Sequence, residues 1–166
     1  ELKVPEARLR WPNDLMSGRK KLAGLLIEQG GRQQLTVGIG MNVQNAPWTF
    51  DPSLTDSTTR LAEVSGAVPS LDALTVSLLD RLDNAYQAML AAGLESAIQA
   101  LNMLWSSCPI GITSTAGENI GAKFLGLDEG ANLRIVTAQG HERRVLHHLT
   151  RIARVEHPIE VLATAQ

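Results

Sequence analysis

Between Leu71 and Met89 the apolar residues Leu71, Leu74, Leu78, Leu82, Ala85 and Met89 recur at steps of three and four. Only a helix puts such residues on one stripe. On both sides the pattern shortens to strand-length runs, so the chain must combine helix and sheet. Ser70 is a suitable N-cap with Asp72 in the first turn, and Gly93 marks the expected end. "LESAIQALNMLW" then repeats the helical spacing through Leu94, Ile98, Leu101 and Trp105, until Pro109 forbids continuation. The first stripe is expected to lie on a sheet.

That sheet is expected upstream. "ARLRWP" alternates apolar and basic residues and should stop at Pro12, "NDLMSGRK" reads as a loop, and "KLAGLLIEQ" and "QLTVGIGMNV" read as a hairpin across Gly30-Gly31. These give three strands, with residues 7 to 13 and 22 to 29 as antiparallel neighbours. "QNAPWTFDPSLTDS" is a long loop of the kind that covers sites. "STTRLAEVSG" reads as a short helix capped by Ser57 or Thr58 and followed by Gly66. After Pro109 come five short runs, "GITSTA", "NIGAKFLG", "NLRIVTA", "ERRVLHHL" and "RIARVE", separated by turn residues. Short strands at regular spacing argue for a small all-β barrel. The expected architecture is α/β (α+β): a mixed, largely antiparallel sheet with packed helices over residues 1–107, then a small barrel over 108–166. The tail from Pro158 reads as a loose end.

Composition excludes several functions. A formal net charge of -2 over 166 residues gives no broad basic face for nucleic acid or anionic lipid, so any anion recognition must be local. Cys108 is the one cysteine, which leaves no intrachain disulfide or cysteine cluster for zinc and points to a reducing cytoplasm. No apolar run reaches the length of a membrane span, and no signal peptide is evident. The missing initiator Met and an opening within a strand approach read as a fragment.

The chemistry concentrates in residues 10 to 42. The loop before the hairpin should bring Asn13, Asp14 and Lys21 to one mouth of the sheet. A lysine there can hold a carboxylate or phosphate as a compact point charge, with Asp14 orienting it or helping to hold a magnesium ion. Gly24, Gly38 and Gly40 would let a flat ligand lie against backbone, and Asn42 offers a donor and an acceptor suited to a purine edge. Equally, an Asp and a Lys across a turn form an ordinary surface pair worth under about 1 kcal/mol, and strand glycines often mark bulges. The residue types permit an anion site without requiring one.

"RWPNDLMSGRKKLAGLLIEQ" followed by "VGIGMNV" resembles the central signature of the biotin protein ligases: Trp-Pro-Asn-Asp, a basic loop, Lys-Leu-Ala-Gly and a Gly-x-Gly-x-Asn strand end. The likeness is strong to Val43 and weaker beyond, where two helices and a short-stranded segment follow in the family's order. It implies an enzyme that joins biotin to ATP, with Mg2+, to make biotinyl-adenylate. The enzyme then transfers biotin to a lysine of the biotin carrier domain of a carboxylase. It implies that Lys21 holds the biotin carboxylate and then the adenylate phosphate, that Asp14 sits by the reacting centre, that Gly24 and Gly40 line the biotin pocket, and that Asn13 and Asn42 border the adenylate. Arg10 stands where the family has Lys and keeps the charge. Lys20 is expected to be a solvated neighbour on the opposite face.

Other family features are missing or replaced. The family's Gly/Arg-rich loop, which belongs upstream, and the DNA-binding domain of some relatives are not in these residues. "VLHHLTRIARV" replaces a Gly-Glu pair near the last strand. The resemblance implies biotin, ATP and a carboxylase's carrier domain as partners, with no nucleic acid bound by this chain and no membrane expected, and a homodimer is left open. Rivals are a noncatalytic ligand-binding or regulatory module of the same fold and, less favoured, a lipoate ligase. His147 and His148 point apart in a strand, a poor metal site. Cys108 reads as a small buried filler, and Trp48 and Phe50 either stack on an adenine or anchor their loop.

Overall fold

A computed structural model describes residues 4–31, 34–105, 109–113, 119–145 and 153–156. The chain divides into two compact units, Glu1–Leu71 and Asp72–Gln166.

The first unit is a four-stranded antiparallel sheet in the order β1-β2-β3-β4, formed by β1 (Ala7–Arg10), β2 (Asp14–Ser17), β3 (Lys20–Gln29) and β4 (Leu35–Met41). The expected hairpin across Gly30-Gly31 is present as β3 and β4. The stretch expected to be a loop instead carries β2, which separates residues 7–10 from β3. The strand is short, but pairing on both edges supplies the hydrogen bonds that its turn-rich sequence does not advertise. Its link to β3 is a two-residue loop in which Gly18 has a φ of 55°. That is the first loop position, where a II′ hairpin turn takes glycine.

The order breaks once. Asp14 pairs with Gly24 and Leu15 with Ala23, but Met16 pairs with Lys21, leaving Leu22 as an extra residue. Leu22 is fully buried, in a core with Trp11, Met16, Ala23, Val43 and Leu61. The segment after β4 makes two short 3-10 turns, Pro47–Thr49 and Pro52–Leu54. It then returns beside the start of β3, where Lys21 N–H donates to Ser57 and Thr59 N–H donates to Lys21. Helix α1 (Leu61–Val64) starts later than expected: Arg60 occupies the cap without a side-chain cap bond, because Ser57 and Thr58 are used in turn hydrogen bonds to Leu54.

The second unit begins one residue into α2 (Leu71–Trp105), a helix broken at Gly93, whose φ of 81° and ψ of 164° are open essentially to glycine alone. Both helical segments therefore form as expected. Of the apolar stripe, however, Leu74 is buried and Leu78 half-buried, whereas Leu71, Leu82, Ala85 and Met89 are exposed. Then come β5 (Pro109–Thr113), β6 (Asn119–Leu127), β7 (Leu133–Thr137), β8 (Glu142–Val145) and β9 (Ala153–Glu156), an antiparallel sheet in the order β8-β7-β6-β5-β9. Leu133, Ile135 and Thr137 alternate inward along β7 and pack in a core with Ala122, Phe124 and Leu127. Asn102 of α2 clips to β6, its Oδ1 accepting from Leu127 N–H at 2.6 Å and its Nδ2 donating to Leu127 C=O at 3.2 Å. Among the described residues no helix is long and apolar enough to cross a membrane. Cys108, His147, His148 and the tail from Pro158 lie outside the described residues.

Candidate functional site

Residues two apart on a strand share a face, and directly paired residues share it too. Asp14 and Met16 therefore define one face of the sheet. Arg10 and Gly24 lie opposite Asp14, Lys21 lies opposite Met16, and Gly40 lies opposite Gly24. Five of the seven expected site residues, Arg10, Asp14, Lys21, Gly24 and Gly40, thus share one surface.

On that surface Asp14 is held from two sides. Arg10 donates to Oδ2 from Nη2 at 2.6 Å and from Nε at 3.1 Å, while the Lys21 ammonium lies 2.5 Å from Oδ1. Arg10 and Asp14 are largely buried; Lys21 keeps 38% of its side chain exposed. Two cations meet one carboxylate, so the cluster retains one net positive charge, and its solvent-facing member is the lysine. Partial burial makes that charge act more strongly on an incoming anion than an open surface lysine would.

The glycines are not alike. A Cβ on Gly24 would lie 3.1 Å from Lys21 Nζ and 3.2 Å from its Cε. A Cβ on Gly40 would meet nothing nearer than the Gly24 carbonyl oxygen at 4.0 Å, and one on Gly38 would make only ordinary contacts with Leu26. Gly38 and Gly40 leave a smooth strip of backbone that the protein's own atoms do not fill.

Asn13 and Asn42 stand at the borders and spend their amides on the scaffold. Asn13 Nδ2 donates to Leu25 C=O at 2.6 Å; Asn42 Nδ2 donates to Thr59 C=O at 3.1 Å, and its Oδ1 accepts from Asn45 at 3.2 Å. Lys20 points away from Lys21, as expected, and donates to Thr55 C=O at 2.9 Å. Trp48 anchors its loop: the Arg60 guanidinium sits 5.5 Å from its ring centre, bonded also to Gln44 C=O and Glu63. Phe50 is 90% exposed. The segment Ser57–Thr59, which fixes the Lys21 backbone from its other side, was not evident in the sequence, since nothing in "STT" announces a bridge to a strand.

Asp14 does not fit the expected role of magnesium ligand, because both of its oxygens already face cations. Among the described residues no group of three His, Cys, Asp or Glu could hold a metal ion.

No family model matches the chain. It is similar to the bifunctional ligase/repressor BirA of Bacillus subtilis, 26% identical over 141 residues that cover 80% of this chain and 42% of that protein. It is also similar to a biotin–acetyl-CoA-carboxylase ligase of Mycobacterium tuberculosis, 35% identical over 78 residues that cover 47% of this chain and 27% of that one. The chain thus spans less than half the length of these curated relatives. Among solved structures, the apo biotin protein ligase of Aquifex aeolicus superposes with a TM-score of 0.72 at 23% identity, over 89% of this chain and 65% of that chain. The same enzyme in complex with biotin and ATP gives a TM-score of 0.71. The fold is that of these proteins.

Proposed function

We propose that this relative of the biotin protein ligases is part of an ATP-dependent ligase that activates biotin and passes it to a lysine of a carboxylase's carrier domain, in the cytoplasm. The observation that carries the reading is the single net positive charge of the Arg10–Asp14–Lys21 cluster, presented by Lys21 beside the open backbone at Gly38 and Gly40. Biotin and the α-phosphate of ATP are both anionic. A carboxylate oxygen can attack phosphorus only where that repulsion is offset, and a fixed cation offsets it without reorganising at the moment of reaction.

In the first step Lys21 holds the biotin carboxylate while one of its oxygens bonds to the α-phosphorus and pyrophosphate leaves. In the second, a neutral carrier lysine attacks the acyl carbon, the amide forms, and AMP departs with the phosphate charge that Lys21 stabilises. Arg10 contributes by keeping Asp14 compensated when Lys21 turns to the substrate. Gly40 gives the ligand room, while Asn13 and Asn42 hold the rim in place from the border of the adenylate. Magnesium belongs with the ATP phosphates in this reading, not with Asp14. The catalytic part takes in residues 1–107 and the small barrel takes in 108–166, with α2 counted in the catalytic part although it falls in the second compact unit with the barrel strands.

Calorimetry tests this directly. Biotin and biotinyl-adenylate should give heat with the chain and lipoate none, and Lys21→Ala should weaken the binding of both biotin compounds while leaving it measurable. No heat from either biotin compound, or equal heat from lipoate, overturns the reading. Uptake of biotinyl-adenylate without pyrophosphate release from biotin and ATP would instead mark a ligand-holding module.

A further inference from the structure

We propose that Gly24 is a positioning residue for Lys21: its missing side chain is the space through which the lysine reaches Asp14, so its role is to place the amine and not to wall the ligand pocket. The inference rests on the reading of Lys21 as the anion-holding amine.

In an unbroken strand Lys21 and Gly24, three residues apart, would point to opposite faces. The extra residue at Leu22 slips the phase by one, which brings both onto the face of Asp14. Leu22 is fully buried, so the slip is tied to the core. The bond of Lys21 N–H to Ser57 and of Thr59 N–H to Lys21 fixes the same point of backbone from its other edge. From there the lysine runs back along its own strand, and its Cε and Nζ lie 3.2 and 3.1 Å from where a Cβ on Gly24 would stand, a tight contact; Asp14 Oδ1 lies 3.6 Å from that same point. Any side chain at position 24 would compete with this path. Gly24 does not adopt a left-handed backbone, and the atoms nearest the new Cβ are the far end of a flexible chain. Alanine there would push the end of the lysine aside by a few tenths of an ångström, enough to disturb its short contact with Asp14, and leave the strand intact. Gly40 differs, because a Cβ there would meet nothing nearer than the Gly24 carbonyl oxygen at 4.0 Å.

A double-mutant cycle on biotinyl-adenylate binding separates the two roles. Gly24→Ala should weaken binding about tenfold, the size of one hydrogen bond to a charged group. In a Lys21→Ala background the same change should alter Kd by less than about twofold, because coupled residues do not add. An equal loss in both backgrounds means that Gly24 touches the ligand itself and overturns the proposal.

A readout without ligand keeps this distinct from the ligase reading. Acetic anhydride labelling followed by mass spectrometry should modify Lys21 severalfold faster in Gly24→Ala than in the unaltered chain, and an unchanged rate overturns the proposal. In the unaltered chain, NMR should show a contact between the Lys21 ε-methylene and the Gly24 α-protons; its absence overturns the proposal even if the variant does not fold. Faster labelling together with no uptake of any biotin compound would leave the positioning of Lys21 standing and remove the ligase reading.

Discussion

Asp14 is the residue on which the candidate site turns, because among the described residues it is the carboxylate held between two cations, and it is itself largely buried. Removing a partner from a buried charge group costs more than the pair contributes, since the groups left behind keep their desolvation cost. Asp14→Asn should therefore destabilise the chain by about 1–3 kcal/mol, read as a shift in urea midpoint at unchanged m-value. Lys21→Ala, at the more exposed end, should cost under about 1 kcal/mol. Equal losses for the two variants would show that Asp14 is not the hub. The types of these residues were legible in the sequence, and so was an Asp–Lys pairing across the turn. The clamp from Arg10 was not, because Arg10 and Asp14 sit four apart on either side of a turn, and only the pairing of β1 with β2 sets them opposite each other. Nor was the fellowship of Lys21 and Gly24, which depends on the slip at Leu22. "LAGLLI" is apolar without alternation, so it carries no mark of phase.

Elements were legible where a local rule and the tertiary context agree. The β3–β4 hairpin follows from two β-rich runs around Gly30-Gly31, and the break in α2 from a glycine that takes a conformation other residues avoid. β2 was hidden because "DLMS" lies between turn formers and only its two neighbours make it a strand. The β6–β7 turn shows how a short loop is held by one carboxylate. Asp128 Oδ1 accepts from the backbone N–H of Gly130 and Asn132 at 2.9 Å and from Asn132 Nδ2 at 3.0 Å, while Arg144 Nε lies 2.6 Å from Oδ2. Burial alone would raise the pKa of Asp128, but the bonds from Asn132 and Gly130 and the charge of Arg144 together hold it below the ordinary carboxylate value. A carboxyl depressed in the folded state contributes stability that is present above its unfolded pKa and disappears as pH falls through the folded one. The turn should thus loosen only in acid, below about pH 4. An NMR titration should find Asp128 protonating at lower pH than an ordinary aspartate, and Asp128→Asn should remove that part of the acid dependence. An ordinary titration midpoint for Asp128 would contradict this account of the turn.

At the scale of the whole chain, the sequence showed the order of strands, helices and short strands, but not how much of its apolar surface remains uncovered. Periodicity tells which residues share a face, not whether another layer lies on it. Ile27 and Val37 pair directly across β3 and β4, next to Leu25 with Ile39 and Gln29 with Leu35, and this face stays open, with Ile27 62% and Leu35 57% exposed. Within the second unit Val76, Leu79, Leu90 and Leu94 are likewise exposed along α2. Scattered surface apolar residues are normal, whereas contiguous ones drive association or bind apolar probes. The chain on its own should enhance the fluorescence of anilinonaphthalene sulfonate at neutral pH and should sediment with a mass that rises with concentration. Because Ile27 and Val37 share a face and a register position, replacing both with serine should lower dye binding more than either single change. The double variant should leave the unfolding midpoint nearly unchanged, since side chains already in water lose little burial when truncated. If the double variant binds as much dye as the unaltered chain, the sheet face is covered in solution; if its midpoint falls by several molar units of urea, those side chains belong to a core that the exposed surface does not reveal.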